Sequence, residues 1–229
     1  MTPDILYALL AARRGARAIV LATRLADGEQ RLLPDQAAPQ GLAAAAEIAL
    51  QRDESRAAEI DGETWFLHVH APPFRLLIVG AVHIAQVLAP LAASLSFAVT
   101  VVDPRSTFAT EERFPGVTLS HLWPDEAIRA QAPDSRTAIV TLTHDPKLDD
   151  PALHIALRSD AFFLGALGSR KTHAARLSRL AAEGHAPATL ARIRGPVGLA
   201  LGAVTAHEIA LSIVAEIVAV RRGSALAQR

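Results

Sequence analysis

One stretch near the middle of the chain constrains the fold more than any other. Residues 75–79 predict a buried strand, a glycine turn follows, residues 83–95 predict a helix, and residues 97–102 predict a second strand that ends at Asp103. An acid about 20 residues after a glycine turn is typical of a βαβ unit that binds a dinucleotide. The sequence therefore predicts a parallel sheet with a nucleotide-type turn at Gly80.

The turn departs from this pattern at one position. The pattern is Gly-x-Gly-x-x-Gly or Ala, whereas residues 80–85 read Gly-Ala-Val-His-Ile-Ala. The glycine that Val82 replaces lets the backbone approach a pyrophosphate closely, and a β-branched side chain obstructs that approach. The stretch thus favours a nucleotide-type fold and at the same time disfavours a bound pyrophosphate.

The composition excludes several classes of protein. The 229 residues contain no cysteine, which excludes disulfides, thiolate metal ligands and a cysteine nucleophile. The 23 basic and 23 acidic residues balance, so the basic excess of a protein that binds nucleic-acid phosphates is missing. Without a recognisable signal peptide or membrane span, we expect a cytoplasmic protein with neither nucleic acid nor membrane as a partner.

The chain is predicted to be an α/β protein of two domains. Residues 1–71 combine helices with two hairpins, which predicts a small α+β domain that ends at a stiff Ala-Pro-Pro linker. Residues 74–223 alternate apolar strands with helices, which predicts a Rossmann-like parallel sheet with helices on both faces. Residues 224–229 are predicted to be a frayed tail.

Local signals place the individual elements. Asp150 and Pro151 predict the start of one helix, and Thr205 with Glu208 predicts a capping box at the start of the last one. The predicted helices are 3–14, 41–52, 83–95, 124–131, 150–158, 169–183 and 205–222. The predicted strands are 18–23, 29–33, 56–60, 64–70, 75–79, 97–102, 117–119, 136–142 and 161–165.

Four loops are expected to meet at one edge of the sheet, because open parallel sheets bind ligands beyond the carboxyl ends of their strands. They are residues 80–85, 103–105, 143–146 and 165–171. The last loop places glycines, a hydroxyl and two cations at a helix start, where free N–H groups and the helix dipole favour anions. The predicted cofactor-binding residues are Gly80, Ala81, Val82, His83, Asp103, Arg105, Thr143, His144, Asp145, Gly165, Gly168, Ser169, Arg170 and Lys171.

Several of these residues have two interpretations. Asp103 could accept hydrogen bonds from ribose hydroxyls, or it could only cap the turn before Pro104. Arg105 is a cation that could accommodate a 2′-phosphate. His83 could reach an anion from the first helical turn, or it could simply pack at the helix end.

His144 and Asp145 are the candidate catalytic residues. The pair would suit proton transfer, although Asp145 and Pro146 could equally form a turn. An activated nucleophile is not recognisable, because Ser169 has no histidine nearby in the sequence and a Gly-x-Ser-x-Gly motif is lacking.

The histidines predict no metal site. His68 and His70 lie two residues apart, as metal ligands can, but without a third ligand in sequence reach an ordinary strand edge is favoured. The remaining histidines without recognisable ligand spacing are His121, His154, His173, His185 and His207.

Two further features require close contacts in the fold. Residues 195–203 contain three glycines, which indicates a loop that closely approaches its own sheet, a partner or a ligand. Glu216 lies in an apolar stretch and needs a partner if it is buried.

Six sequence blocks occur in one order and carry a resemblance to a known family. The blocks are 77–86, 99–105, 108–115, 143–150, 165–170 and 195–198. Together they resemble the XdhC/CoxI family, the maturation factors of xanthine and carbon monoxide dehydrogenases, over essentially all of residues 74–223. The resemblance implies a Rossmann-type domain in a chaperone that binds the molybdenum cofactor, protects it during sulfuration and inserts it into a molybdenum hydroxylase.

The resemblance also implies a ligand and partners. The ligand would be molybdopterin, with or without a cytosine-nucleotide extension. The client would be a xanthine or carbon monoxide dehydrogenase, a cysteine desulfurase would be a further partner, and the chain would form a homodimer.

Two departures from the family limit what carries over. The family's first loop normally reads Gly-Ala-Gly-His, and its second glycine is Val82 here. The family's N-terminal domain commonly carries Gly-Gly-Cys-x-Glu, whereas the aligned residues 39–44 have neither cysteine nor acid, in an N-terminal half that is shorter than usual. The resemblance therefore implies the fold but not thiol-assisted handling of molybdenum or sulfur.

Three hypotheses of function follow. The leading one is a molybdenum cofactor chaperone rather than an enzyme, with a divergent or auxiliary paralogue as one form of it. The second is an NAD(P)-dependent oxidoreductase with His144 as acid and base, against which Val82 argues. The third is a paralogue that has lost its ligand site and acts only through protein contacts.

Overall fold

The computed structural model describes residues 2–227, which divide into two compact units. The first unit ends at Pro72 and the second begins at Pro73. None of the helices within this described range has both the length and the apolar character needed to cross a membrane.

The first unit is one antiparallel sheet with two helices. The strand order is β2-β1-β4-β3, and every pair of neighbours is antiparallel, which confirms both predicted hairpins. Apolar side chains of the sheet pack with Leu42, Ala46 and Ala49 of α2 into a small core. The elements are α1 (Pro3–Arg14), β1 (Ile19–Arg24), β2 (Gln30–Leu33), α2 (Gln40–Arg52), β3 (Arg56–Ile60) and β4 (Glu63–His70).

The second unit is built on a six-stranded parallel sheet. The spatial order is β10-β9-β8-β5-β6-β7, and every pair of neighbours is parallel. Counted from β5 along the chain, this is the Rossmann order 3-2-1-4-5-6. The elements are β5 (Arg75–Val79), α3 (His83–Ser94), β6 (Ala98–Val102), β7 (Thr118–Ser120), α4 (Pro124–Gln131), β8 (Thr137–Thr141), α5 (Pro146–Ala156), β9 (Phe163–Ala166), α6 (Arg170–Ala182), α7 (Pro187–Leu190), β10 (Ile193–Arg194) and α8 (Ala206–Arg221).

Helices cover both faces of this sheet, which confirms the predicted fold class. Leu88 of α3 and Ile213 of α8 belong to the core on one face, together with side chains of β5 and β6. Ile128 of α4, Leu153 of α5 and Leu180 of α6 belong to the core on the other face. Strands buried on both sides account for the uninterrupted apolar runs in the sequence.

The predicted start of α5 at Asp150 and Pro151 is wrong. The helix begins at Pro146, and the Asp145 side chain caps it by accepting a hydrogen bond from the Lys147 N–H at 2.9 Å. Pro151 therefore lies inside the helix, while Asp150 is buried and forms an ion pair with Arg179. Two Asp-Pro pairs carry the same local signal, and only the tertiary ion pair distinguishes them.

Other boundaries differ where local signals are weak. The prediction omitted α7 and β10, and β10 is a two-residue strand that is recognisable only by its pairing with β9. Ala225–Ala227, within the tail that was predicted to be frayed, form a 3₁₀ turn, and residues 228–229 lie outside the described range. The predicted capping box of α8 is confirmed.

The glycine-containing loop after β10 packs against the unit's own helices. A side chain at Gly195 would collide with the His173 ring, and one at Gly198 would collide with the Ser212 hydroxyl. The Gly198 N–H donates to the Glu216 carboxylate at 2.7 Å, and Arg194 forms an ion pair with the same carboxylate at 3.2 Å. These bonds confirm that the buried Glu216 has partners, and the loop approaches its own fold.

Gly165 of β9 provides a direct test of this packing. A Cβ atom at position 165 would lie 2.5 Å from Val197 Cγ2, so we expect Gly165→Ala to lower the free energy of unfolding by about 1–3 kcal/mol. Val197→Ala in the same chain should restore part of the loss, because it removes the colliding methyl groups. Urea denaturation of both single variants and the double variant measures this coupling, and simple additivity would contradict the close approach.

Candidate functional site

The sheet topology creates a crevice between β5 and β8. The chain leaves β5 through α3 and enters β6 on one side, and it later returns to place β8 on the other side of β5. Ligands of such sheets bind at this switch point, beyond the carboxyl ends of the strands. The loops that begin at Gly80 and Leu142 therefore form the two walls of the candidate site.

The two walls touch at Gly80 and Thr143. Gly80 has a φ of +107°, which L side chains rarely adopt. A Cβ atom at Gly80 would lie 2.5 Å from Thr143 Cγ2. Glycine is thus required here both by the backbone conformation and by the approach of the second wall.

Asp103 joins the first wall to the loop after β6. Its side chain is 0% exposed and accepts four hydrogen bonds. The donors are the N–H groups of Ala81 (2.8 Å) and Arg105 (3.0 Å) and the Arg105 guanidinium (2.9 and 2.7 Å). Burial alone would raise the pKa of Asp103, but these hydrogen bonds outweigh it and hold the pKa below its ordinary value.

This geometry describes a turn-organising role for Asp103. Each carboxylate oxygen already accepts two hydrogen bonds, which uses its two lone pairs. The Arg105 guanidinium also stacks over the Phe108 ring at 4.5 Å. Binding a ribose through Asp103 stays a prediction, and it would require Arg105 to move aside.

The N-terminus of α3 opens directly at the first wall. Val82 is the N-cap residue, and its side chain makes no capping hydrogen bond. Part of that side chain packs against the core of the sheet, whereas the following His83 is exposed and lies 3.4 Å from Gln86 Oε1. The first-turn N–H groups of α3 therefore receive no side-chain cap from the described residues.

The other two helices that begin beside the switch point are capped. Asp145 caps α5, and the Ser169 hydroxyl accepts a hydrogen bond from the Thr172 N–H of α6 at 3.1 Å. Arg170 and Lys171 are exposed in the first turn of α6. The predicted anion site at residues 165–171 thus has two exposed cationic side chains. The Thr172 N–H at the start of α6, however, already donates to Ser169 and is not free for an anion.

The structure places His144 and Asp145 in separate roles. His144 is exposed and has a φ of +61°, whereas the Asp145 carboxylate caps α5. The hydrogen bond from the Lys147 N–H to Asp145 agrees with the interpretation of Asp145 as a local turn residue. Proton transfer by His144 and Asp145 stays a prediction. His144 lies close to Gly168, since a Cβ atom on that glycine would be 3.8 Å from His144 Nδ1.

Only some of the site residues predicted in the loop after β9 lie beside the crevice. Gly168 has a φ of +143° and packs against Thr172. Gly165, in contrast, is buried inside β9, where the space of its missing side chain is filled by Val197. Gly165 therefore supports the fold of the loop rather than lining the crevice.

A cleft of about 280 Å³ continues from His144 between α5 and α6. Beneath it, Asp149 and Arg176 have side chains only 2% exposed and lie 3.5 Å apart. Thr143 Oγ1 donates to Asp149 at 2.6 Å, and Arg176 donates to the Leu167 carbonyl at 2.9 Å. Burial raises the pKa of Asp149 despite the opposing effect of Thr143 and Arg176, and burial lowers the pKa of Arg176.

The Asp149–Arg176 pair thus links the loop after β8 to the loop after β9. Sequence reasoning missed this pair as a part of the site. Asp149 lies in one of the blocks that carry the family resemblance, which was a usable signal. Arg176 has no local signal, because a single arginine in a helix is ordinarily exposed.

Asp103→Asn tests the buried carboxylate that holds the first wall. We expect it to lower the free energy of unfolding at pH 7 by about 1–3 kcal/mol, since an amide cannot accept from all four donors. The folded-state pKa of Asp103 is depressed, so its contribution is present above the unfolded pKa of about 3.9 and is lost as the pH falls through the folded pKa. Urea denaturation across acidic and neutral pH should show a difference between wild type and variant that shrinks with acid.

The control for this variant is Asp125→Asn, which changes an acid whose distance to Arg129 is 3.9 Å at the protein surface. It should change stability little at any pH. A stability difference for Asp103→Asn that does not depend on pH would contradict the account.

Comparison with known proteins places the chain in a family. The model of the XdhC Rossmann domain matches residues 76–217, which is more than half of the chain. The chain is 36% identical over 150 residues to the molybdenum cofactor insertion chaperone PaoD of Escherichia coli (strain K12), covering 66% of this chain and 41% of PaoD. It is 32% identical over 158 residues to a probable xanthine dehydrogenase subunit of Bacillus subtilis (strain 168), covering 69% of this chain and 46% of that protein.

A solved structure supports the fold. A crystal structure of a protein described as a xanthine dehydrogenase from Bacillus halodurans superposes with a TM-score of 0.72 at 22% identity, covering 96% of this chain and 67% of that one. The matches to the two curated relatives span less than half of the relatives' own length. The extent of the domain match nevertheless decides the classification, and this chain belongs to the XdhC Rossmann-domain family.

Proposed function

We propose that this chain is a molybdenum cofactor chaperone that helps to mature a xanthine dehydrogenase-type molybdenum hydroxylase. Its family and its 36% identity to an insertion chaperone support this role. The client hydroxylase, a cysteine desulfurase and a homodimer belong to the same proposal.

The observation that carries the proposal is the uncapped N-terminus of α3 at the switch point. A helix N-terminus presents free N–H groups and a positive dipole end, and both favour an anion. Molybdopterin carries a phosphate group, so this helix end would bind the phosphate, with Gly80 and Thr143 forming the adjacent walls.

The backbone conformation at Val82 does not need the glycine that the nucleotide-binding pattern has at this position. Its φ of −87° and ψ of 174° are ordinary extended values that do not require glycine. Because part of its side chain packs against the core, the N–H groups of the following turn are the ones offered to the phosphate. We infer that the anion is bound by the first-turn N–H groups of α3 rather than along the backbone of Val82.

The fit does not extend to the metal end of the cofactor. When bound, the cofactor would supply the molybdenum centre that the client hydroxylase needs. The chain has no cysteine, so it offers no thiolate to that centre. Its residues would bind the phosphate and order the crevice, and the buried Asp103 and Asp149 networks would keep the walls in place.

The proposal is tested by cofactor retention. The full chain, co-expressed with the enzymes of cofactor synthesis, should retain a pterin that is measured by its fluorescence after release and oxidation. Val82→Asp should reduce retention by about tenfold or more, because an aspartate N-cap occupies the α3 N–H groups and repels phosphate, an effect of about 1.4 kcal/mol or more. The same substitution gains a helix cap but loses the packing of Val82 against the core, so a cooperative thermal unfolding transition must accompany the lost retention to show that the variant is folded.

The matched control is Trp123→Asp. Trp123 is the exposed N-cap of α4 and also lacks a capping bond, but its helix follows β7 at the edge of the sheet. This variant adds the same charge at an equivalent helix position and should retain the pterin. A wild-type chain that never retains pterin would refute the proposal, and equal retention by both variants would refute the α3 site.

A Val82→Gly variant tests the rival NAD(P)-dependent oxidoreductase. The substitution restores the glycine of the nucleotide-binding pattern, but Arg105 still covers the Asp103 carboxylate. We therefore expect no saturable binding of NAD or NADP by isothermal titration calorimetry. Binding gained by this variant would favour the oxidoreductase hypothesis and would show that Val82 alone blocks the site.

A further inference from the structure

Three potential metal ligands meet at the edge of the sheet opposite the candidate site. α5 and α6 both begin at the carboxyl ends of the strands and run back across the same face, so their C-terminal ends lie at the far edge. His154 is in the last turn of α5, Glu183 is the C-cap of α6, and His185 follows two residues later.

The ligand atoms of these three residues converge. His154 Nδ1 lies 2.9 Å from Glu183 Oε2 and 3.0 Å from His185 Nε2. One atom from each residue lies within 4.8 Å of the other two. The centroids of the two imidazole rings are 4.7 Å apart and the rings are nearly perpendicular, so they are not stacked face to face.

A shared cation satisfies this arrangement better than ordinary hydrogen bonds. His154 Nδ1 can carry one proton, and that proton must serve both the Glu183 carboxylate and the lone pair of His185 Nε2. If both imidazoles carried protons on the facing nitrogens, those protons would point at each other. A single cation bound by the three atoms removes the conflict, because each atom then donates a lone pair to the cation and no shared proton is needed.

The local electrostatics also favour a cation. The C-terminal ends of α5 and α6 carry negative partial charge, and Glu183 adds a carboxylate. Arg158 lies close enough to His185 to act on it electrostatically. Arg158 opposes a cation, whereas the charge of nearby Arg179 is compensated by its ion pair with Asp150.

We propose that His154, Glu183 and His185 form a binding site for a divalent transition metal that ties the end of α5 to the end of α6. Two imidazoles and one carboxylate are a donor set for zinc(II), whereas magnesium and calcium prefer oxygen ligands alone. Tetrahedral zinc bonds of about 2.0–2.2 Å place the ligand atoms about 3.3–3.6 Å apart, so the two contacts of His154 Nδ1 would lengthen by a few tenths of an ångström. The Glu183 and His185 ligand atoms, which lie within 4.8 Å of each other, would take up the remaining adjustment. Three protein ligands leave a fourth position for water.

The proposed metal would have a structural role, because it lies at the ends of α5 and α6 that are far from the crevice. α5 and α6 begin at Asp145 and Ser169, beside the switch point, and end at the metal ligands. A metal that fixes the far ends of both helices would hold their spacing, and it would also restrain the cleft lined by His144 and Lys171.

Metal binding is tested on the full, untagged chain after removal of metals by a chelator. Zinc(II) titration by calorimetry should show one saturable site per chain, and zinc should raise the thermal unfolding temperature. His154→Ala and Glu183→Gln should each weaken zinc binding by about tenfold or more and abolish the thermal shift. Cobalt(II) bound at the same site should give the visible absorption of a low-coordinate centre, and this spectrum should be lost in both variants.

The matched control is His207→Ala, which removes an exposed histidine that lies outside the cluster. It should bind zinc with unchanged affinity. Glu183→Gln preserves side-chain size, so it keeps the test valid if the histidine variant unfolds. Absence of a saturable site in the wild type, or binding that neither cluster variant weakens, would overturn the proposal and would leave only a shared proton at this position.

Discussion

Gly80 and Thr143 lie in direct contact at the point where the chain crosses from one side of β5 to the other, and the rest of the candidate site depends on this contact. The absence of a side chain at Gly80 lets the loops after β5 and β8 approach each other. That approach places the N-terminus of α3 at the mouth of a narrow crevice. On the other wall, Thr143 donates a hydrogen bond to Asp149 six residues further along the chain, and Asp149 in turn pairs with Arg176.

Buried charge stabilises the walls on both sides of this contact. Asp103 is enclosed by N–H donors from its own turn and from Ala81, so it orders the first wall. Asp149 and Arg176 are enclosed beneath the second wall and connect it to the loop after β9. Removing one partner of such a pair leaves an uncompensated buried charge, which is costly. The carboxylates of this site therefore serve mainly to hold the backbone, and in the proposed function it is the helix end that binds the anion.

The sequence predicted most of the fold, because the decisive signals were local. Apolar runs, helix caps and the spacing from Gly80 to Asp103 all depend on neighbouring residues, and the structure confirms the Rossmann-like sheet that they indicated. The start of α5 could not be predicted, since Asp145-Pro146 and Asp150-Pro151 carry the same signal and only the ion pair of Asp150 with Arg179 separates them. The short strand β10 exists only through its pairing with β9.

The candidate site was less accessible from the sequence than the fold. The sequence predicted that the four loops lie at the carboxyl ends of the strands. The burial of Asp103 beneath Arg105, in contrast, depends on side-chain packing that no motif encodes. The cluster of His154, Glu183 and His185 has no recognisable ligand spacing, because β9 and all of α6 separate the first ligand from the other two. A parallel sheet nevertheless aligns the ends of neighbouring helices, so acids and histidines at successive helix ends are a signal worth searching for.

The central claim is that the first-turn N–H groups of α3 bind the phosphate of the cofactor. The most direct measurement is the amide NMR spectrum of the ¹⁵N-labelled chain during titration with cofactor released from a molybdenum hydroxylase. The account predicts saturable shifts of the His83, Ile84 and Ala85 amide signals, with the largest changes in this turn. Shifts confined to Arg170, Lys171 and Thr172 at the start of α6, or no saturable shift at all, would contradict it.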